Sequence, residues 1–312
     1  MTERQLTHFR FGRIYGFFRR NTSSRSKQIK AVRQLYKSMG LQDSTCVLCD
    51  ANDFSLLAET GRFGFDLQKK ICNACGLVQT HPSLKPEFHN EFYDKYYRKL
   101  YTNSEVVDYS ELEVSQRARG RQILGFVEKF FHISDYSVIE IGCSSGGVLA
   151  ELKPYAKQVS GCDLDVEGVK YARDHLGLDV EVASLPGVLP KSPRLFILSH
   201  VLEHVYSPLT TLRDLWRIME QDDMLYVEVP SIKMVSKGEY KGDLRRYFNI
   251  AHVVDFSQAT LLAMAKKAGF KCVASNERVQ SILSKSKGSE IDDASKIDSV
   301  TDILEIEKSY NS

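Results

Sequence analysis

No apolar run among the 312 residues approaches the roughly 20 needed to cross a bilayer, so no membrane span is expected. No secretory signal is expected either. Seven cysteines without one point to a reducing, cytoplasmic setting, where thiols bind metals or pack as small hydrophobes. A general basic face for nucleic acid is missing too: the formal charge is only +2, and residues 1–40 hold ten Lys/Arg against the single acid Glu3, so the remainder is net negative. What is present, 43% hydrophobic and 26% charged residues over this length, describes an ordinary globular protein able to bury a core in two units rather than one.

The stretch Val138-Ile139-Glu140-Ile141-Gly142-Cys143-Ser144-Ser145-Gly146-Gly147 organises the chain. A short β-branched run ends in an acid and opens into small residues, which is a buried strand feeding a tight turn. Gly142 and Gly146 let the backbone take strained angles and let a ligand approach closely. Val148, Leu149 and Leu152 resume at helical spacing, and a strand, a Gly-rich turn and a helix N-terminus make a seat for a nucleotide-like ligand. A second strand, Gln158–Cys162, ends at Asp163, where a ribose-binding acid belongs. Glu140 separates two ligand classes. Pyrophosphate prefers a bare helix dipole, whereas the sulfonium and ammonium of S-adenosylmethionine want a carboxylate at the loop.

Cys46-x-x-Cys49 and Cys72-x-x-Cys75 are separated by twenty-two residues and followed directly by Gly76. Each pair puts two thiolates on one turn, and together they supply the tetrahedral four-sulfur shell that Zn²⁺ prefers. With all four positions filled by protein, such a zinc is structural. Phe54–Leu57 and Phe63–Leu67 are expected as short strands completing a zinc ribbon.

The expected organisation is a basic N-terminal extension over 1–40, a ribbon over 41–87, an aromatic and helical connector and substrate cap over 88–135, a ligand-binding α/β domain over 136–287 and a disordered acidic tail over 288–312. The extension interleaves Phe9, Phe11, Ile14, Tyr15, Phe17 and Phe18 with Arg10, Arg13, Arg19 and Arg20, which suits a peripheral membrane contact, a protein partner or a solvated extension packed on the domain behind it. The tail holds seven Asp/Glu and two Lys. The aromatic run 88–101 suits packing or a cleft lined by Tyr96, Tyr97 and Tyr101, and an amphipathic helix is expected over Glu111–Phe131.

From Val138 strands and helices alternate: strands 138–141, 158–162, 179–183, 195–198 and 224–229, with helices near 147–153, 166–176, from Pro208 and over 257–268. That pattern predicts a Rossmann-like parallel sheet covered by helices, with Lys271–Ala274 and Val279–Leu283 as a closing pair of strands. Ligands of such sheets bind beyond the carboxyl ends of the strands. Ser199 and the loop His200-Val201-Leu202-Glu203-His204-Val205 are therefore placed beside the ligand, and a His next to a carboxylate is readily tuned to accept a proton. A second cluster after strand five contains Arg245, Arg246, Tyr247, Asn249 and His252. Tyr247 and His252 are candidate bases, and Arg245 and Arg246 candidate diphosphate ligands.

The loop resembles motif I of class I S-adenosylmethionine-dependent methyltransferases, with Glu140, Gly142 and Gly146 on matching positions and Ser144 where that family usually has its middle glycine. His200 through Val205 matches the segment His-Val-Leu-Glu-His-Val found in related methyltransferases, and the final antiparallel strands resemble their closing hairpin. The twin C-x-x-C with the Phe-Tyr-x-x-Tyr-Tyr-Arg-Lys-Leu-Tyr run is similar to the zinc-bearing amino-terminal unit of sugar C-methyltransferases, which act on nucleotide-linked deoxysugars or belong to surface-polysaccharide gene sets. The resemblance implies S-adenosylmethionine held by Glu140, Gly142, Cys143, Gly146, Asp163 and Ser199, structural Zn²⁺ on Cys46, Cys49, Cys72 and Cys75, and proton removal by His200, His204, Tyr247 or His252. A small-molecule or glycan acceptor and C- or O-methylation follow, with no catalytic metal required. A small-metabolite O-methyltransferase and a non-catalytic binding module of the same fold are the alternatives. A nicotinamide oxidoreductase or epimerase is disfavoured by Glu140 and by the lack of a Tyr-x-x-x-Lys pair.

Overall fold

A computed structural model describes residues 22–39 and 41–286, without the side chains of 22–24. The aromatic and basic stretch within 1–21 and the acidic tail 288–312 lie outside the described residues. No described helix is long and apolar enough to cross a membrane.

The chain divides into two compact units. The described part of the smaller one is α1 (Thr22–Met39), α2 (Pro86–Phe92), a π-helical turn Tyr93–Tyr97 and α3 (Arg98–Thr102). Asn103 at φ 58° ends α3, and its side chain accepts the backbone N–H of Arg25 at 3.1 Å. The aromatic run packs on itself: Phe88 stacks on Phe92 with centroids 5.8 Å apart, Tyr93 meets Tyr97 at 4.7 Å and Tyr97 meets Tyr101 at 5.1 Å. Residues 88–135, expected as one connector, are thus divided. Those up to Val107 belong with α1, and the helix after them belongs to the larger unit.

In the larger unit β1 (Leu41–Gln42) pairs with β5 (Ser83–Leu84), and between them lie β2 (Phe54–Thr60), β3 (Asp66–Cys72) and β4 (Val78–Thr80). The strand expected over 63–67 starts later and runs through Cys72. The reason is a turn at Arg62–Gly64 in which Phe63 takes a left-handed φ of 65°, which an extended chain cannot accommodate.

Asp108 caps α4 (Tyr109–Val127) by accepting the N–H of Ser110 and of Glu111, so the helix starts two residues before the expected Glu111 and ends short of Phe131. The alternation then unfolds as β6 (Ser137–Ile141), α5 (Gly147–Leu152), β7 (Gln158–Asp163), α6 (Val166–Leu176), β8 (Asp179–Val182), β9 (Arg194–Ser199), α7 (Pro208–Ile218), β10 (Met224–Glu228), α8 (Leu244–Tyr247), β11 (Val254–Asp255), α9 (Gln258–Lys267), β12 (Phe270–Ser275) and β13 (Gln280–Lys285). The sheet runs β12-β13-β10-β9-β6-β7-β8; its strands from β10 to β8 are parallel, and β13 enters antiparallel between β10 and β12.

Every residue of β6 and β9 is buried, as expected of central strands covered on both faces. Their side chains alternate between two cores. Val138, Leu195 and Ile197 meet α4, α5 and α6 on one face; Ile139, Ile141, Phe196 and Leu198 meet α7 and α9 on the other. Cys46, Leu48, Cys72, Cys75 and Leu77 belong to that second core, so the ribbon is built into the domain. β11 from the second half of the chain joins the ribbon sheet, giving the order β11-β4-β3-β2.

One ion pair locks this junction. Lys69 Nζ on β3 lies 2.6 Å from Asp255 Oδ2 on β11 and donates to His252 O at 2.8 Å, and the Lys69 and Asp255 side chains are 0% exposed. Replacing Lys69 by Met strands a buried carboxylate. This should lower unfolding stability by about 3–5 kcal/mol, and Lys69→Met with Asp255→Leu should recover part of the loss. Denaturant midpoints measure both, and a loss under about 1 kcal/mol in the single variant would mean that the pair is effectively hydrated.

Candidate active site

Glu140, next to last in the buried strand β6, is 3% exposed, and its Oε2 has no hydrogen-bond partner. Burial raises its pKa well above the usual carboxylate range, with Arg119 opposing that shift. A buried oxygen left without a partner at the carboxyl end of a parallel strand is a place for a ligand's donor or cationic group. The bend beside it is sterically determined. Gly142 takes φ 78°, and a Cβ there would lie 2.4 Å from Val201 Cγ2; Gly146 takes φ 77°, where a Cβ would lie 2.6 Å from Leu178 Cδ1. Ser144 also adopts a left-handed φ of 47°, so the middle position of the motif keeps a glycine-like conformation without glycine. Its N–H donates to Asp163 Oδ2 at 2.7 Å, which holds it there.

Asp163 lies where the pattern placed it, at the end of β7, but with more to do than expected. Its other oxygen accepts the N–H of Asp165 at 2.7 Å, so the carboxylate braces two loops while keeping lone pairs for a ligand hydroxyl. Cys143 is fully buried behind the bend, where it packs rather than presenting its thiol. Gln116 of α4, which no sequence motif marks, accepts both Gly147 N–H at 2.9 Å and Ser145 Oγ–H at 2.8 Å. Its local signal is a polar residue on an amphipathic helix, and nothing nearby reveals that the helix crosses this loop.

The loop after β9 brings the second set together. Ser199 is buried, with its hydroxyl 3.5 Å from Glu228 Oε2, and His200 sits at φ 56° with its N–H donating to Glu228 O at 2.8 Å. The strained backbone turns the His200 side chain toward the Glu203 carboxylate, with Nδ1 3.4 Å from Oε1, and leaves it 32% exposed. Glu203 is 1% exposed and His204 Nε2 lies 3.6 Å from the same oxygen. Burial pushes the His204 imidazole down to about 3, so it is neutral at ordinary pH, and its Nδ1 faces Ala251 O at 3.1 Å. His204 and His252 meet edge to face with centroids 4.8 Å apart.

The cluster after β10 is arranged differently from expectation. His252 is buried, with Nδ1 3.2 Å from Asp255 Oδ1 and Nε2 2.9 Å from the Asn249 amide nitrogen. Tyr247 is 1% exposed, donates its hydroxyl to Pro230 O at 3.0 Å, and is pushed well above the usual tyrosine pKa by burial, so it is poorly placed to accept a proton. Arg245 and Arg246 both turn to Asp243, at 3.2 and 3.6 Å, instead of forming a paired anion clamp.

The four ribbon cysteines converge. Cys46 and Cys75 sulfurs are 3.5 Å apart, as are those of Cys49 and Cys72, and all four lie within 4.8 Å of one another. The two turns match: Asp50 N–H donates to Cys46 O and Gly76 N–H to Cys72 O, with Asp50 at φ 62° and Gly76 at φ 75°. A tetrahedral zinc with Zn–S of about 2.3 Å requires sulfurs about 3.8 Å apart, so the donor set fits a four-thiolate ion with little movement.

A family model described as a methyltransferase domain matches residues 115–275. No curated protein sequence matches the chain. Solved structures with a similar fold include an O-methyltransferase from neocarzinostatin biosynthesis, NcsB1, in complex with S-adenosylmethionine and 2-hydroxy-5-methyl naphthoic acid, at 18% identity over 64% of this chain and 61% of that one with a TM-score of 0.47. DesVI of Streptomyces venezuelae is similar at 13% identity over 58% of this chain and 100% of that one, TM-score 0.45. A SAM-dependent methyltransferase from Aquifex aeolicus is similar at 18% identity over 58% and 98%, TM-score 0.41.

If the four sulfurs share one ion, Cys72→Ser should lower bound zinc and thermal stability while leaving the fold of the sheet, as read by far-ultraviolet circular dichroism at low temperature, intact. Full zinc occupancy in that variant, measured by atomic emission, would count against four-thiolate ligation.

Proposed function

Because the chain belongs to the methyltransferase-domain family and is an S-adenosylmethionine-dependent enzyme of the class I fold, we propose that it methylates a sugar or glycan at oxygen or carbon, with a histidine after β9 taking the acceptor's proton. The observation that carries the donor assignment is Glu140, a buried carboxylate with an unpartnered oxygen at a bend too tight for side chains at Gly142 and Gly146. It complements the ammonium and sulfonium of the donor, while Asp163 takes the ribose hydroxyls and the loop from Gly142 to Gly146 lies along the amino-acid arm. The sugar or glycan class is supported by the sequence pattern, namely the twin C-x-x-C, the tyrosine-rich run after it and the segment His200–Val205.

The chemistry asks little beyond alignment, proton removal and exclusion of water. The methyl carbon's bond to sulfur breaks with its electron pair left on sulfur, which becomes a neutral thioether. A new bond forms to the acceptor oxygen or carbon, and the acceptor's proton goes to an imidazole. We assign that imidazole to His200. It is the most exposed of the three histidines in the two loops, and the buried Glu203 beside it stabilises the imidazolium that forms. His204 and His252 lie deeper, each with Nδ1 directed at a fixed acceptor, and Tyr247 shapes the wall. The four ribbon thiolates hold Zn²⁺ in a structural role, since a filled sulfur shell leaves no position for substrate.

Asp163→Ala should weaken S-adenosylmethionine binding by about 1–3 kcal/mol in calorimetry, and unchanged affinity would reject its assignment. His200→Asn keeps a residue that tolerates the left-handed backbone. It should slow transfer of tritiated methyl to a responsive sugar acceptor by roughly 100- to 10,000-fold without altering donor affinity; a rate close to the unmodified enzyme's would move the base elsewhere.

A further inference from the structure

Glu203 poses a problem of charge and hydrogen bonding that methyl transfer alone does not answer. Its carboxylate is 1% exposed and neither oxygen has a hydrogen-bond partner. A buried carboxylate without donors is strongly destabilising unless a cation is nearby. The nitrogens around it stand at 3.4 Å (His200 Nδ1) and 3.6 Å (His204 Nε2), beyond the usual hydrogen-bond range of about 2.7–3.2 Å yet too short for an intervening water. Around a cation with ligands at about 2.1 Å, tetrahedral donors lie about 3.4 Å apart, close to the 3.6 Å between His204 Nε2 and Glu203 Oε1.

The rings are also set up as ligands. His204 directs Nδ1 at Ala251 O, and His252 directs Nδ1 at the Asp255 carboxylate, which Lys69 holds from the other side. Protonation of Nδ1 in this way leaves Nε2 with the lone pair, the arrangement that carboxylates and carbonyls behind metal-bound histidines enforce. The Asn249 side chain confirms the tautomer of His252. Its oxygen accepts the N–H groups of Ala251 and His252, so its amide nitrogen is the group facing His252 Nε2, which must therefore be an acceptor. Ligand atoms of Glu203, His204 and His252 lie within 4.8 Å of one another.

We propose that Glu203, His204 and His252 form a second metal site, distinct from the four cysteines, that binds a divalent transition cation of the Zn²⁺, Co²⁺ or Mn²⁺ type. One carboxylate and two imidazoles suit that class better than Mg²⁺ or Ca²⁺, which prefer oxygen shells. Binding displaces the Asn249 amide from His252 Nε2. Three protein ligands leave a coordination position open, in contrast to the closed sulfur shell. The site adjoins His200, so it bears on the acceptor side of the function proposed above, but cation binding itself does not depend on that function.

Cobalt titration of the metal-stripped full-length protein tests this without donor or acceptor. Two equivalents should bind. One should carry the intense sulfur-to-cobalt charge-transfer band of a thiolate shell, and the other only weak visible transitions. Glu203→Gln and His204→Gln should each weaken the second event at least tenfold and leave the thiolate band unchanged, the band also reporting that each variant is folded. Cys72→Ser should do the converse. A single, thiolate-banded equivalent in the unmodified protein overturns the proposal, as does a second event that survives both substitutions. Should either variant fail to fold, the stoichiometry of the unmodified protein still decides. A failed methylation assay alongside two distinct cobalt events would reject the acceptor reading and leave this site standing.

Discussion

The structure turns on a charge pair hidden from water. Lys69 comes from the ribbon and Asp255 from the segment that carries His252, and neither could be buried alone at tolerable cost. Satisfying both goes with β11 pairing on the edge of β4 while β3 pairs on the other side of β4, which ties the ribbon to the segment carrying His252. The same lysine binds the His252 carbonyl, as does Thr80 Oγ1 at 3.3 Å, so the backbone around this histidine is fixed by residues from the far end of the chain. The cysteine cluster is thus more than a clip on a peripheral appendage, since it holds the strands from which Lys69 projects.

The ligand end of the sheet follows a complementary logic. There the chain leaves one oxygen of Glu140 without a hydrogen-bond partner and uses other carboxylates as struts. Asp163 ties Ser144 to the bend and Asp165 caps α6, accepting the Gly168 N–H at 3.2 Å and the Tyr109 hydroxyl at 2.8 Å. Rigid supports around a few unsatisfied groups are the expected design of a site in which geometry does most of the work.

Local chemistry explains which features were legible. From Val138 to Ser199 the strands and helices fall within a residue or so of expectation, because β-branched runs, the Asp165 cap and the Gly177 stop act over a few positions. The closing antiparallel strands and the cysteine turns were readable for the same reason. Phe63 and Ser144 were not, since each holds a left-handed conformation without the glycine that usually announces one. Tyr247 looked like a base because a hydroxyl in a polar stretch carries no sign of depth; its partner is the carbonyl of Pro230, from another segment. Arg245 and Arg246 follow Asp243 closely enough that the pairing had a local cue, which the diphosphate expectation overlooked. Two-residue β11 has no periodicity to read at all, yet it joins the ribbon to the rest.

That short strand also governs the order in which the polypeptide can mature. During synthesis the cysteines leave the ribosome long before Val254 and Asp255, so the β3–β4 hairpin waits with the edge of β4 bare and Lys69 uncompensated. Both defects are repaired only when the latter half of the chain arrives, and the ribbon is thereby made a dependent of the domain it precedes rather than an independently folding module.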